Sequence, residues 1–414
     1  VCSLSNKVLS NTFILVINLT FWVCLMEFSV AFWNLQNLFD VNSSEIATDL
    51  EFIPEKGWTA EVLNKKIENL SKPLRTLNNG NPSDLVGFCE IESEKLARDL
   101  CENVQSSYYE VAKYIDGSDI RGIDTCLVYS KDIFDCIETK SFRINFRYPT
   151  RDIFLARLRV KENNAELLVL VNHWPSRRGK KGGLDQYDTE FSRCMVAENC
   201  GRIIDDLLKI PFEEIKYLPH EILSDKSYVD MINTRWNKNV LLMGDFNDDP
   251  FDKSISKFLR AKNDKEIFTE LNESLEIFRN TDRDKTDKQH YMEYTPPLYN
   301  CMWNLSGFSY YHWRNNSTNL FDQFIISRGL LLGVQKLKMN LENVRVFNEG
   351  LTIGENLSND YFVPKDPERY HPAQRGIPMT FDYLRSNGRI PKHRIPNTGF
   401  SDHFPIYGTI ETLP

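Results

Sequence analysis

The 414-residue chain lacks most of the features that would classify it at once. It has no C-x-x-C pair, and its nine cysteines, an odd number, are scattered from Cys2 to Cys301. That pattern excludes a disulfide framework and a thiolate zinc centre. The seven histidines show no zinc-ligand spacing. No internal repeat and no low-complexity linker occurs, which excludes a repeat array and makes one domain the economical reading. A basic surplus is missing too: 50 Lys+Arg stand against 58 Asp+Glu, a net charge of −8. A protein that coats nucleic acid would usually be basic. An acidic chain can still meet phosphate esters through a bound cation and a local basic patch.

What is present is enough apolar residue for a substantial core. Hydrophobic residues make up 41% of the chain, with 26 Phe, 17 Tyr and 7 Trp among them. Cys89 and Cys126 lie inside apolar runs and read as buried, reduced thiols. Such thiols suit a reducing, cytoplasmic location. Val8 to Met26 is mostly apolar and close to the length that spans a bilayer, so a membrane anchor or an export signal is the alternative. No small-residue cleavage site follows it. A strand begins two residues after Met26, which favours reading 1–26 as an extension outside the fold. The domain is then expected over 27–414, with insertions near 211–239, helical in part, and 335–397.

Several predicted strands end in polar groups. Val240 to Met243 is an apolar strand, followed by Gly244, Asp245, Asn247, Asp248, Asp249 and Pro250. Taken alone, that run is a turn, since Asp and Asn favour turns for backbone reasons. The same arrangement recurs, however. Glu27 to Trp33 leads into Asn34, and Asp84 to Cys89 leads into Glu90 and Glu92. Leu167 to Val171 leads into a Gly-rich basic loop, Asn172 to Gly183, with His173, Arg177 and Arg178. That loop is either a solvated basic surface or a phosphate clamp with His173 as a proton donor. Leu320 to Ser327 carries the buried-looking acid Asp322. Asp402 and His403 precede a last strand, Ile406 to Ile410. Tyr109 to Tyr114, Ile123 to Tyr129 and Phe154 to Val160 are further strands. Helices are expected over Thr59 to Leu77, capped by Thr59, over Ser93 to Cys101, over Glu190 to Leu208 and, briefly, over Lys253 to Arg260. Residues 280 to 316, polar and aromatic, read as loops and hairpins at a site rim.

A hard divalent cation takes oxygen ligands and keeps several waters. Glu90 and Asp402, with an amide oxygen from Asn34, can supply such a site. Two carboxylates in different surroundings, two histidines and a cation are the parts that phosphodiester hydrolysis needs.

The motifs Trp33-Asn34, Gly87-Phe88-Cys89-Glu90, Asn172-His173, Gly244-Asp245-Phe246-Asn247, Phe321-Asp322 and Ser401-Asp402-His403 occur in one order. In that order they resemble the endonuclease/exonuclease/phosphatase superfamily, and most closely a deoxyribonuclease-like bacterial branch. The resemblance runs from Glu27 to the end of the chain. It implies an α/β fold, a four-layer sandwich of two mixed β-sheets flanked by α-helices. It also implies Mg²⁺, with Mn²⁺ as a substitute, on Asn34, Glu90 and Asp402. Asp245 would orient or deprotonate the attacking water, and Asn247 would hold the scissile phosphate. His403 would stabilise the pentacovalent phosphorus, with Asp322 orienting it. His173 would assist the leaving oxygen, and Arg177 and Arg178 would bind substrate. One departure stands out: Gln36 occupies a position where relatives carry an acid near the metal, and Glu92 is a possible substitute. The implied activity is hydrolysis of phosphodiesters, with nucleic acid the first substrate class. A phosphorylated lipid or inositol phosphate is the alternative. A non-catalytic phosphate-binding module is the other, and retention of every named polar position argues against it. No obligate protein partner is evident.

Overall fold

A computed structural model describes residues 26–42, 51–115, 117, 122–144, 146, 150–177, 186–222, 224–270, 284–312, 316–352, 376–384 and 397–414. In chain order the strands are β1 (Glu27–Leu38), β2 (Leu85–Ile91), β3 (Tyr109–Val111), β4 (Asp124–Ser130), β5 (Phe134–Phe142), β6 (Ile153–Val160), β7 (Glu166–His173), β8 (Val240–Asp245), β9 (Ala261–Lys262), β10 (Leu298–Asn300), β11 (Tyr310–His312), β12 (Ser317–Asn319), β13 (Asp322–Ile326), β14 (Leu337–Val346) and β15 (Ile406–Thr412). One sheet has six strands in the order β14-β15-β1-β2-β4-β3, and the other has seven in the order β5-β6-β7-β8-β13-β10-β9. Both are mixed, because β1 pairs in parallel with β2, and β7 with β8, while their other neighbours run antiparallel.

The apolar runs explain the layering. Successive strand side chains alternate between faces. In β1, Phe28, Val30 and Phe32 point into a core that also holds Val169 and Val171 of β7, Met243 of β8 and Phe324 of β13. That core fills the space between the two sheets. The alternate residues Ala31 and Trp33 face the other way, onto Leu63, Ile67 and Leu70 of helix α1 (Ala60–Leu74) and Leu96 and Leu100 of helix α2 (Glu94–Val104). Thr59 caps α1, its hydroxyl accepting from the Val62 amide, as its position in the sequence predicts. Behind the second sheet, Leu168, Leu170 and Leu242 pack on Val196, Cys200 and Ile204 of helix α3 (Gln186–Leu208). The result is the expected four-layer sandwich. Central strands read as continuous apolar runs because both of their faces are covered.

Segment 211–239 contains the expected helix, over Phe212–Ile215 and Lys226–Trp236. Two other parts differ from the sequence reading. Segment 335–397, expected to be an insertion, begins instead with β14, an edge strand of the six-stranded sheet. Its register shifts between Asn340 and Arg345, and only some of its residues are buried, so its period-2 pattern is broken. β5 escaped the sequence reading for a related reason: it is the opposite sheet's edge strand and is mostly half-buried. The seven described cysteines are free thiols. No helix among the described residues is long and apolar enough to cross a membrane. Residues 1–25 lie outside the described part.

Strand register brings the polar ends together. Asn172 pairs with Gly244 and His173 with Asp245 across β7 and β8, and Asp245 pairs with Asp322 across β8 and β13. Gly244 stands in regular strand at this crossing. A Cβ there would lie 2.3 Å from the Asn172 carbonyl oxygen and 2.7 Å from its Cβ. Its role is therefore close approach of two strands rather than release of the backbone. Replacing Gly244 by Ala should destabilise the fold by about 1–3 kcal/mol through overpacking. Chemical unfolding would measure the loss, and turnover should fall with it because His173 and Asp245 flank the forced gap.

Candidate active site

The site is built from backbone irregularities at the ends of otherwise regular strands. β1 and β2 pair regularly up to Asn34 and Cys89, then both shift register, β1 before Leu38 and β2 before Ile91. Bulges of this kind re-aim side chains at sheet edges. Four non-glycine residues here hold left-handed backbone: Gln36 (φ 54°), Asn37 (φ 58°), Glu90 (φ 60°) and Asn247 (φ 52°). Such conformations are costly and persist only where surrounding contacts hold them.

Asp245 is the centre. It is buried, 2% exposed, at the end of β8. Its Oδ1 accepts the Asn247 amide at 2.9 Å, and its Oδ2 accepts the Asn34 side-chain Nδ2 at 3.0 Å. His403 Nε2 lies 3.8 Å from the same Oδ2, and His173 Nε2 lies 3.9 Å from it. His173 Nε2 is also 3.7 Å from Glu90 Oε1. Burial pushes the Asp245 carboxyl up to about 7; Asp322 adds to that, and His403 and the two hydrogen bonds oppose it. Asp322, fully buried as expected, takes a 2.7 Å hydrogen bond from His403 Nδ1. Burial alone would pull His403 down. The charges of Asp322 and Asp245, with the Asp322 hydrogen bond, outweigh it and raise His403 to about 10. The imidazole is thus a cation with Nδ1 committed to Asp322 and Nε2 facing the site.

Ser401 and Trp33 fix this end of the chain. The Ser401 hydroxyl donates to the Asn34 carbonyl at 2.7 Å, and Trp33 Nε1 donates to the His403 carbonyl at 2.9 Å. From the rim, the β11–β12 hairpin places Tyr310 against the His403 ring, centroids 4.6 Å apart. Asp402 is half-buried, its carbonyl accepting the Tyr311 amide at 3.4 Å. Cys89 lies beneath, within reach of His173 and Asp245. Burial, and after it the Asp245 and Glu90 charges, pushes this thiol well above its ordinary value, so it stays protonated.

The donor set fits a divalent cation. Glu90 Oε2 is steadied by the Asn37 amide at 2.8 Å, and Asn34 Oδ1 by the Gln36 amide at 2.9 Å. Both oxygens keep further lone pairs. Burial pulls the Lys66 amine down to about 7, and the charges of Glu90 and then Asp402 oppose that. The Gln36 side chain is engaged elsewhere: its Oε1 accepts the Phe381 amide at 3.2 Å. Glu92 accepts the Asp40 amide and holds the loop after β1.

Arg177 is not where a substrate clamp would need it. It is 6% exposed, and its guanidinium pairs with Asp248 at 3.1 Å, with Asp249 at 3.2 Å and with Asp252. It also donates to the Asn247 carbonyl and lies on the Phe321 ring, 4.7 Å from its centroid. Arg193 adds a second cation, 2.8 Å from Asp248. Arg177 therefore braces the turn that carries Asp245 and Asn247. Arg178 lies outside the described residues. The residue that sequence reasoning missed is Lys66. Its signal was available, since Lys66 falls on the apolar face of α1 with Val62, Leu63, Ile67 and Leu70. Replacing Arg177 by Gln should cost about 3–5 kcal/mol in chemical unfolding, because buried carboxylates lose their partner. The KM for substrate should stay near wild type; a large rise with unchanged stability would restore the clamp.

Comparison with known proteins is consistent at the level of sequence family. No curated protein matches the chain. Among solved structures, an endonuclease/exonuclease/phosphatase family protein from Bacteroides thetaiotaomicron is 14% identical, covering 94% of this chain and 98% of its own, with a TM-score of 0.47. A mannosyl-6-phosphatase from the same species is 14% identical over 92% of this chain and 99% of its own, TM-score 0.47. The human Nocturnin catalytic domain is 11% identical over 93% and 94%, TM-score 0.44. The sequence profile of one family matches residues 29–213 and 220–293, most of the described core, and the chain belongs to that family, the Endonuclease/Exonuclease/phosphatase family.

Proposed function

We propose that the protein hydrolyses phosphodiesters with a bound divalent cation, Mg²⁺ or in its place Mn²⁺, and that nucleic acid is the first substrate class to test. The observation that carries this reading is the convergence on one buried carboxylate, Asp245, of the Asn247 amide from the turn that follows it and of one side-chain amide and two imidazoles from three other segments.

Glu90, Asn34 and Asp402 are the residues that would hold the cation. Bound there, it would neutralise phosphate oxygens and make a water more acidic. The chain's own groups supply the remaining parts. Asp245 Oδ2 takes the proton from the attacking water as the new P–O bond forms. Its elevated proton affinity suits a base working near neutral pH. His403, cationic and oriented by Asp322, donates from Nε2 to a nonbridging oxygen where charge accumulates. Asn247 gives one amide hydrogen to the Trp174 carbonyl at 3.0 Å and keeps the other for the phosphate. His173, beside Glu90 and Asp245, protonates the leaving alkoxide as the old P–O bond breaks. An alkoxide leaving group needs that proton. The support from a basic clamp is reduced to residues past Arg177.

The test is turnover of bis-p-nitrophenyl phosphate, plasmid DNA, single-stranded RNA and a phosphoinositide, with Mg²⁺ or Mn²⁺ and after chelation. Metal-dependent hydrolysis that chelation abolishes is expected, and Asp245→Ala should lower kcat by about 10²–10⁴-fold. Turnover of the phosphoinositide alone would move the substrate to lipid headgroups. No turnover with either metal would end the enzymatic reading.

A further inference from the structure

Lys66 carries its amine into an apolar place. It is 2% exposed, on α1, between the rings of Trp58 and Phe381, with Nζ 5.7 Å and 5.3 Å from their centroids. Burying a lysine is costly without strong partners. Its partners are backbone: Nζ donates to the Gln36 carbonyl and, at 3.3 Å, to the Asn37 carbonyl. These are the two consecutive left-handed residues of the β1 bulge.

The peptide that joins them does two jobs. Its carbonyl, on Gln36, accepts from Lys66. Its N–H, on Asn37, donates to Glu90 Oε2 at 2.8 Å. Hydrogen bonds in series polarise one another, so a donor at the carbonyl strengthens the N–H donor at the other end. The Gln36 amide, one peptide earlier, donates to Asn34 Oδ1. The Gln36 side chain accepts the Phe381 amide and so holds the ring that covers Lys66. Gln36 thus serves the lysine's enclosure through its side chain.

We propose that Lys66 is a positioning residue that sets divalent-cation affinity by holding the Gln36–Asn37 peptide against Glu90. This rests on Glu90 and Asn34 being cation ligands, as argued above. Lys66 touches neither substrate nor cation and acts only through that peptide. Groups that orient and polarise metal ligands typically change metal affinity by about 10–100-fold when removed.

The experiment reads metal binding directly, without substrate. Mn²⁺ affinity of wild type, Lys66→Met and Lys66→Arg is measured by paramagnetic resonance of free Mn²⁺, beside thermal unfolding of each protein without metal. Lys66→Met should bind Mn²⁺ about 10–100-fold more weakly, with a cooperative melt, and Lys66→Arg should recover most of the affinity. In turnover, the metal concentration for half-maximal rate should rise while kcat at saturating metal stays within a few-fold. Should Lys66→Met fail to fold, Lys66→Gln, which keeps a donor on a shorter stem, must show the same weakening. Wild-type affinity in Lys66→Met, or in Lys66→Gln where the Met variant does not fold, overturns the proposal. Absence of Mn²⁺ binding to wild type would instead overturn the cation site itself, so the two failures are distinct.

Discussion

A carboxylate enclosed where two sheets meet is unstable as an anion unless its surroundings answer the charge. Asp245 is that carboxylate, and the strands around it are arranged by the need to answer it. Register alone sets His173 beside it on β7 and Asp322 beside it on β13. The bulge after Asn34 and the left-handed Asn247 bring two hydrogen-bond donors that a regular strand could not aim. His403 arrives from the far end of the chain, raised in pKa by the same acids it neutralises. The compensation is incomplete, and that is useful. A fully satisfied carboxylate would be a poor base; one held near 7 by burial remains able to take a proton.

The cations of this region are distributed unevenly. Arg177 and Arg193 are spent beneath the turn after β8, on Asp248, Asp249 and Asp252. Asp249 also accepts the Leu320 amide at 2.7 Å and the Asn319 side chain at 2.8 Å, tying that turn to the start of β13. On the other flank Lys66 is spent on backbone carbonyls. Among the described residues, the groups around Asp245 are acids with imidazoles between them. Under the proposed function such a site would recruit a metal ion first and a phosphate through it.

How much of this was legible in the sequence depends on which physical signal carried it. Apolar runs that stop at a polar residue are conspicuous, so Asn34, Glu90, His173, Asp245 and Asp322 could be named as strand ends before any coordinates. The central strands were legible because both faces are buried; β5 and β14 were not, because edge strands bury little and β14 is broken by a bulge. Arg177 was misread for a different reason. A cation in a Gly-rich loop looks solvated or substrate-facing, and nothing local reveals that its counter-ions lie some seventy residues away. Gln36 looked like a weakened metal ligand because only its type was visible, not its bond to Phe381. Lys66 broke the apolar stripe of a helix in plain sight. A charged residue on such a stripe is usually a frayed edge of the pattern; here it marks where the helix touches the site.

The left-handed residues tie these threads together. Gln36 and Glu90 hold a backbone shape that their side chains disfavour, while Asn37 and Asn247 are of the type that tolerates it best after glycine. None is a glycine, although glycine would adopt it freely. In each case something outside the strand holds the shape: Lys66 from α1 for the first two, the Asn37 amide for the Glu90 carboxylate, and Arg177 with the Trp174 carbonyl for Asn247. Glycine would supply the turn but not the functional side chain at Glu90 or Asn247, nor the Phe381 anchor at Gln36. The chemistry needs both backbone direction and side chain at the same positions. Lys66 on one flank and Arg177 on the other hold these positions through their backbone carbonyls.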